Sequence, residues 1–185
     1  MIPPYRLFPH AINNTENLMS QLQTQLNWKQ YPIKIFGKEM MQPRLVSFAA
    51  DKDISYTYSQ TTLIWNDRPT ILIPLKNSIQ ATYNIDVNSV LCNWYRDGND
   101  SMGRHADDET ELWPDPTIVS VSLWATRTFR FRHKKDFTLT HSVVLSDGDI
   151  LIMDKGCQLN RQHAIPKTTK KIDDRINLTW RLLSE

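Results

Sequence analysis

The sequence predicts a mainly β (α+β) fold, an antiparallel sandwich or jelly roll preceded by helices, on three observations. From about residue 88 the apolar residues alternate with period two. The alternating runs are short and numerous, and turn signals rather than helical stretches separate them. Before residue 86 the apolar residues recur instead at helical spacing.

The first element is a helix over 15–27. Leu18, Leu22 and Leu26 lie at i, i+4 spacing, and Asn13-Asn14-Thr15 precede them as a capping sequence. A second helix is predicted over 70–83, where Ile71, Leu75, Ile79 and Tyr83 share a face; Pro69 and Pro74 suit its entry and first turn. Strands follow at 88–95, 117–124, 127–133, 137–145, 149–153 and 175–182. Asp97-Gly98, Pro114-Asp115-Pro116 and Asp147-Gly148 mark turns between them. The 185 residues suffice for one well-buried domain and are few for two, so 1–86 and 87–185 are read as two halves of one unit.

Composition narrows the function. A charged fraction of 23% with only five glycines excludes a low-complexity or disordered protein. Cys92 and Cys157 form no CxxC pair, which speaks against a disulfide framework or a zinc knuckle. The start of the chain has no signal-peptide core, and no apolar run approaches the ~18 residues of a membrane span. A soluble, intracellular, monomeric protein is expected, cytoplasmic or, in a eukaryote, nuclear. The net charge of +2 does not by itself indicate a polyanion partner. Arg127, Arg130, Arg132, Lys134 and Lys135 do crowd one stretch, either as a solvated strand face or as a basic patch.

The chemistry-bearing residues are few. His105-Ala-Asp107 is a His-x-Asp pair, and His163 lies downstream on another element. Two imidazoles and one carboxylate leave three positions of an octahedral Fe(II) open on one face, as an oxygenase requires. His-x-Asp alone arises readily by chance. The last strand adds weight, because alternation puts Arg175, Asn177, Thr179 and Arg181 on one face and Ile176, Leu178, Trp180 and Leu182 on the other. The two arginines span roughly 20 Å of strand, and guanidinium forks bind carboxylates bidentately. An edge strand with arginines facing water would also alternate, but would not explain cations at both ends with an amide and a hydroxyl between. Asn93 and Tyr95, at i, i+2 on the strand leading to His105, form a second polar pair.

These residues resemble the AlkB family of nucleic-acid dealkylases, and most nearly its duplex-acting DNA repair members. The similarity runs from Asn93-Trp-Tyr95 through His105-Ala-Asp107-Asp108-Glu109, then Ser120-Val-Ser122 and Arg127 to Lys134. It closes with Asp147-Gly148-Asp149, His163-Ala-Ile-Pro166 and Arg175-x-Asn-Leu-Thr-x-Arg181, covering about residues 33–182. The resemblance implies a double-stranded β-helix (jelly-roll) core under an N-terminal nucleotide-recognition lid.

It further implies Fe(II) on His105, Asp107 and His163, and 2-oxoglutarate held by Asn93, Tyr95, Arg175, Asn177, Thr179 and Arg181. Arg181 would also serve the catalytic set. With O2, such a site removes N-methyl groups from 1-methyladenine or 3-methylcytosine as formaldehyde, leaving succinate and CO2. Asp108 and Glu109 would read the damaged base. Phe36, Gly37, Lys38, Arg44, Tyr56 and Tyr58 resemble the lid, with Phe36 as a wedge in the base stack and Tyr58 stacking opposite His105. Stacking aromatics with a nearby cation are what a flipped-base pocket requires. Two positions depart from the family: Arg161 stands where an aromatic residue is common, and Trp124 where a glycine or another small residue is common. A 2-oxoglutarate-dependent hydroxylase of proteins or small molecules would keep the metal and arginine residues but leave the lid set unexplained. A non-enzymatic nucleic-acid-binding jelly roll would need the two histidines and the aspartate to share no metal.

Overall fold

The computed structural model describes residues 5–184 apart from 36–37, 52–55, 59–60, 64–68, 110–111 and 113–114. At 34–35, 38, 56–58 and 61–63 it describes the backbone path alone. Two antiparallel sheets face each other. The larger is built from β1 (Arg6–Phe8), β12 (Ile150–Met153), β9 (Ile118–Trp124), β14 (Arg175–Arg181), β7 (Ser89–Tyr95) and β4 (Leu45–Ala50), in that spatial order. The smaller runs β11 (Thr140–Leu145), β10 (Arg127–His133), β13 (Arg161–Ile165), β8 (Met102–His105). Two hairpins stand apart, β2 (Pro32–Ile35) with β3 (Lys38–Met41) and β5 (Tyr56–Tyr58) with β6 (Thr61–Leu63).

All six strands predicted from period two are present, each within three residues of its expected ends. The N-terminal half is richer in β-structure than its helical spacing suggests. β4, Leu-Val-Ser-Phe-Ala-Ala, is buried almost throughout, so it shows no alternation to read.

β14 explains how one strand can serve two environments. Ile176, Leu178 and Trp180 point outward from the sandwich into a core shared with Met19 and Leu22 of α1 (Thr15–Gln25) and Leu72, Leu75 and Ile79 of α2 (Leu72–Tyr83). The intervening Arg175, Asn177, Thr179 and Arg181 face the inside. Flanked by β9 and β7, β14 is a central strand, which rules out the solvated-edge explanation of its arginines. A second core, with Phe129, Phe131, Val143, Leu145, Leu151 and Ile165, fills part of the space between the sheets.

α1 begins where expected, but not by an asparagine cap. Asn14 adopts a left-handed conformation (φ 54°) and makes no side-chain cap bond. Thr15 instead donates its hydroxyl to Asp147 at 2.6 Å, tying the helix to the β11–β12 turn. That turn needs glycine. Gly148 has φ +77°, and a Cβ there would come within 2.7 Å of the Ile12 carbonyl oxygen. Trp124 has φ +68°, where a side chain is strained. The Trp124 N–H donates to Asp147 at 2.7 Å, which helps to hold that conformation. Among the described residues no helix is long and apolar enough to cross a membrane.

Candidate metal and co-substrate site

Pairing of β13 with β8 sets His163 directly opposite His105. Their rings are 4.3 Å apart, and Asp107 lies two residues beyond the end of β8. One ligand atom from each of the three falls within 4.8 Å of the others, a spacing that a single metal ion can bridge. Phe129 stacks on His163 at 5.2 Å and 14°. It supplies an aromatic wall from β10, while Arg161, at the start of β13, is half-buried.

The electrostatics prepare both ligand types. Burial pushes the His163 imidazole down to about 3, and neighbouring His105 adds to the effect. The ring is therefore neutral and offers a lone pair. Burial opposes ionisation of Asp107, yet Arg181 and the two histidines hold its carboxyl well below the ordinary range. Arg181 donates to Asp107 Oδ2 through Nη2 at 2.8 Å and Nε at 3.2 Å. The other carboxylate oxygen, Oδ1, is buried without a hydrogen bond among the described residues, 3.3 Å from His105 Nε2.

Because the folded state disfavours the proton on His163, its contribution to stability is complete above the unfolded value of 6.5 and drains as pH falls toward 3. The chelator-treated protein is thus expected to lose urea resistance already between about pH 7 and 5. A flat unfolding midpoint across that window would contradict a buried neutral His163.

The co-substrate residues divide in two. Near the metal ligands, Thr179 donates to Asn177 Oδ1 at 2.9 Å, and Asn177 Nδ2 donates to Ser120 Oγ and to the Val121 carbonyl, both at 2.8 Å. Tyr95, Ser120, Asn177, Thr179 and Arg181 line one pocket with both histidines. At the far end Arg175 is fully buried, donates from Nη2 to Ser122 Oγ at 2.8 Å, and lies 5.4 Å from the Tyr95 ring centroid. Among the described residues Arg175 Nε and Nη1 and Tyr95 Oη have no hydrogen-bond partner. Three buried donor atoms left open, two of them on one guanidinium, are what a dicarboxylate's remote end would satisfy.

Asn93 accepts through Oδ1 from Arg44 Nε at 2.7 Å, while its Nδ2, like Tyr95 Oη, is buried without a hydrogen-bond partner among the described residues. Arg44, expected in the lid against nucleic acid, is itself buried and also donates to the Ser101 carbonyl at 3.3 Å. These two bonds lie inside the fold, where a buried cation needs partners. Of the other lid residues, Phe36 and Gly37 lie outside the described residues. Lys38, Tyr56 and Tyr58 lie in the two hairpins, with their side chains outside what is described.

Asp108 and Glu109 follow the metal motif into a cavity of about 140 Å³, whose wall also includes Asp107, Asp115 and the apolar Leu112 and Leu159. Asp108 is exposed and ion-paired to Lys134 at 2.8 Å.

Sequence reasoning did not assign Ser120, Ser122 or Gln158. The serines could have been found, because they are the polar positions of an otherwise apolar strand and share its inward face. Gln158, in α3 (Cys157–Asn160), gave no such signal. It is buried, and its Oε1 accepts the Asp107 backbone N–H at 3.0 Å. Gln158→Leu would strand that N–H at a cost of about 1–3 kcal/mol and release the Asp107 backbone. Divalent-metal affinity is expected to fall about 10–100-fold, read by Mn(II) titration. Unchanged affinity would make Gln158 a packing residue only.

The matching family model, described as the 2OG-Fe(II) oxygenase superfamily, covers residues 5–181. The human alpha-ketoglutarate-dependent dioxygenase alkB homolog 3 is 36% identical over 186 residues, 95% of this chain and 64% of that protein. The Bos taurus homolog 3 is 35% identical over 92% of this chain and 62% of that protein. The human DNA oxidative demethylase ALKBH2 is 35% identical over 80% of this chain and 60% of its own length. The chain thus spans less than two thirds of these curated relatives. A solved structure, OsALKBH1, superimposes with TM-score 0.70 over 98% of both chains at 16% identity, which bears on the fold alone.

Proposed function

The chain belongs to the 2OG-Fe(II) oxygenase superfamily, and from that premise we propose that it oxidatively demethylates N-alkylated bases, 1-methyladenine and 3-methylcytosine, in DNA and also in RNA. The observation that carries the oxygenase half is the meeting of His105, Asp107 and His163 beside open buried donors on Tyr95 and Arg175. His105, Asp107 and His163 would hold Fe(II), and Arg175 and Tyr95 would take the distal carboxylate of 2-oxoglutarate. Asn177, Thr179 and Arg181 would surround the metal-proximal end, and Asn93, whose buried Nδ2 is open among the described residues, would complete the 2-oxoglutarate site. When bound, iron, 2-oxoglutarate and O2 supply oxidation of a C–H bond, with succinate and CO2 as co-products.

The chain's own residues would prepare that step. Neutral His163 and ionised Asp107 need no proton removed before metal enters. Phe129 and the surrounding apolar core exclude water. Methylation at these ring nitrogens fixes a positive charge on the base, and the acidic cavity beside Asp107 has the opposite sign. Asp108, partly neutralised by Lys134, and Glu109 would share that attraction. The homologues named as DNA oxidative demethylases and alkB homologs support this substrate class. Lys38, Tyr56 and Tyr58, with Phe36 and Gly37, would contact the nucleotide from the hairpins. Two buried, unbridged cysteines suit a reducing compartment, and we propose a monomer acting in the cytoplasm, or in the nucleus of a eukaryote.

The test is turnover on single- and double-stranded DNA and RNA oligonucleotides, each with one methylated base, read as formaldehyde and unmethylated base. Consumption of 2-oxoglutarate without demethylation of any oligonucleotide would instead favour a hydroxylase of proteins or small molecules.

A further inference from the structure

The four strands of the smaller sheet, Met102–His105, Arg127–His133, Thr140–Leu145 and Arg161–Ile165, contain five arginines and no aspartate or glutamate. These cations have different fates. Arg127 is buried and donates to the Asp97, Asp100 and Pro166 carbonyls at 2.8–3.2 Å, so it holds loops together. Lys134, just past β10, is neutralised by Asp108.

Arg161 is half-buried and shares the strand parity of inward-facing His163. Arg104, Arg130 and Arg132 remain. Their strand neighbours His105, Phe129, Phe131 and His163 face inward, so alternation directs all three to the outer surface. Among the described residues, Arg104 and Arg130 have no carboxylate partner. Arg104 is close enough to the other two that, after burial, their repulsion is what depresses its pKa.

Two further features adjoin this face. At one end, Arg130 with Thr126, Thr128, Lys167, Thr168 and Lys170 lines a cavity of about 270 Å³, where hydroxyls and cations converge. At the other, Phe137 is 62% exposed, and the Arg132 guanidinium lies 4.5 Å from its ring centroid. A row of cations beside an accessible aromatic ring matches single-stranded nucleic acid, which presents phosphates along its backbone and unstacked bases beside them. A membrane surface fits less well, because the face has no broad apolar stripe to insert.

We propose that the outer face of the smaller sheet, from Phe137 to the groove at Lys167 and Lys170, binds a single-stranded flank of the nucleic acid, on the opposite side of the sheet from the metal ligands. The inference rests on the nucleic-acid reading of the substrate. Mutual repulsion of three guanidinium groups is relieved by a polyanion, and displaced counterions make the contact salt-dependent.

The probe is an unmethylated single-stranded oligonucleotide, bound to the full chain and followed by fluorescence anisotropy across a salt series. Arg104→Gln/Arg130→Gln is expected to weaken binding more than about tenfold at 0.1 M salt, and to lower the slope of log K against log salt by about 1.4, or about 0.7 per phosphate contact. Arg130→Lys, which keeps the charge, should keep the slope. Turnover of a methylated trinucleotide, too short to reach the face, should be unchanged in the double variant. Unchanged oligonucleotide affinity and slope in the double variant would overturn the proposal. So would loss of binding to phosphatidylserine vesicles with oligonucleotide binding intact. Arginine-dependent binding without demethylation of any oligonucleotide would sustain this surface while refuting the proposed reaction.

Discussion

Asp107→Ala is expected to abolish turnover and divalent-metal binding, and also to destabilise the fold far more than loss of either histidine. The carboxylate is fully buried against Arg181, itself 3% exposed. Its removal takes away one of three ligands and deprives a buried guanidinium of the Asp107 charge. Breaking a buried pair from one side costs about 3–5 kcal/mol, which for a domain of this size lowers Tm by roughly 6–20 °C. His105→Ala should end turnover at much smaller cost, because that side chain is 21% exposed and leaves no buried charge behind. The double variant Asp107→Ala/Arg181→Met should regain most of the lost stability and none of the activity. An Asp107→Ala protein as stable as the His105→Ala protein would show that the ion pair adds nothing net.

Arg175→Lys is the second large effect. Among the described residues Arg175 hydrogen-bonds Ser122 and leaves Nε and Nη1 open, as the Tyr95 hydroxyl is. Burial lowers its pKa to about 10, the Arg127 charge adding to the effect and Tyr95 opposing it, so the group stays cationic at neutral pH. Lysine keeps the charge but cannot offer two parallel donors while holding Ser122. The 2-oxoglutarate requirement should rise about tenfold to a hundredfold, equivalent to roughly 1.4–2.8 kcal/mol.

A second readout needs no turnover. With Mn(II) present, 2-oxoglutarate at about 100 times its Kd should stabilise the wild-type protein by about 2.7 kcal/mol, and most of that thermal shift should vanish in Arg175→Lys. A full shift in the variant, with impaired binding of oligonucleotide instead, would move Arg175 from the co-substrate to the nucleic acid.

The arginines of β14 were legible in the sequence because a central strand with one apolar and one polar face writes its alternation plainly. β8 and β13 were not. Met-Gly-Arg-His and Arg-Gln-His-Ala-Ile are short and polar, and the histidines that point inward do so to form a site rather than a core. The three metal-ligand candidates could still be named, because residue type and order carry that signal without any strand assignment. Arg44 could not be placed from sequence. An arginine between Pro43 and Leu45 reads as a surface cation, and the amide that buries it, Asn93, is 49 residues away. Gln158 was missed for the same reason, since its bond to the Asp107 backbone spans 51 residues. Long-range polar pairing leaves no periodicity.

The position of β14 also governs how this chain can be made. β7 and β9 do not pair with each other; each pairs with β14, which follows both in the chain. Until residues 175–181 emerge, the larger sheet is two separate fragments, β4–β7 and β9–β12–β1, each with an unpaired inner edge. Such edges are templates for intermolecular pairing, and contacts this distant in sequence close slowly. A nascent chain stalled before β14 should therefore depend on chaperones and be degraded quickly. Ending the chain before Ile176 should yield an aggregating protein rather than a slightly weakened one.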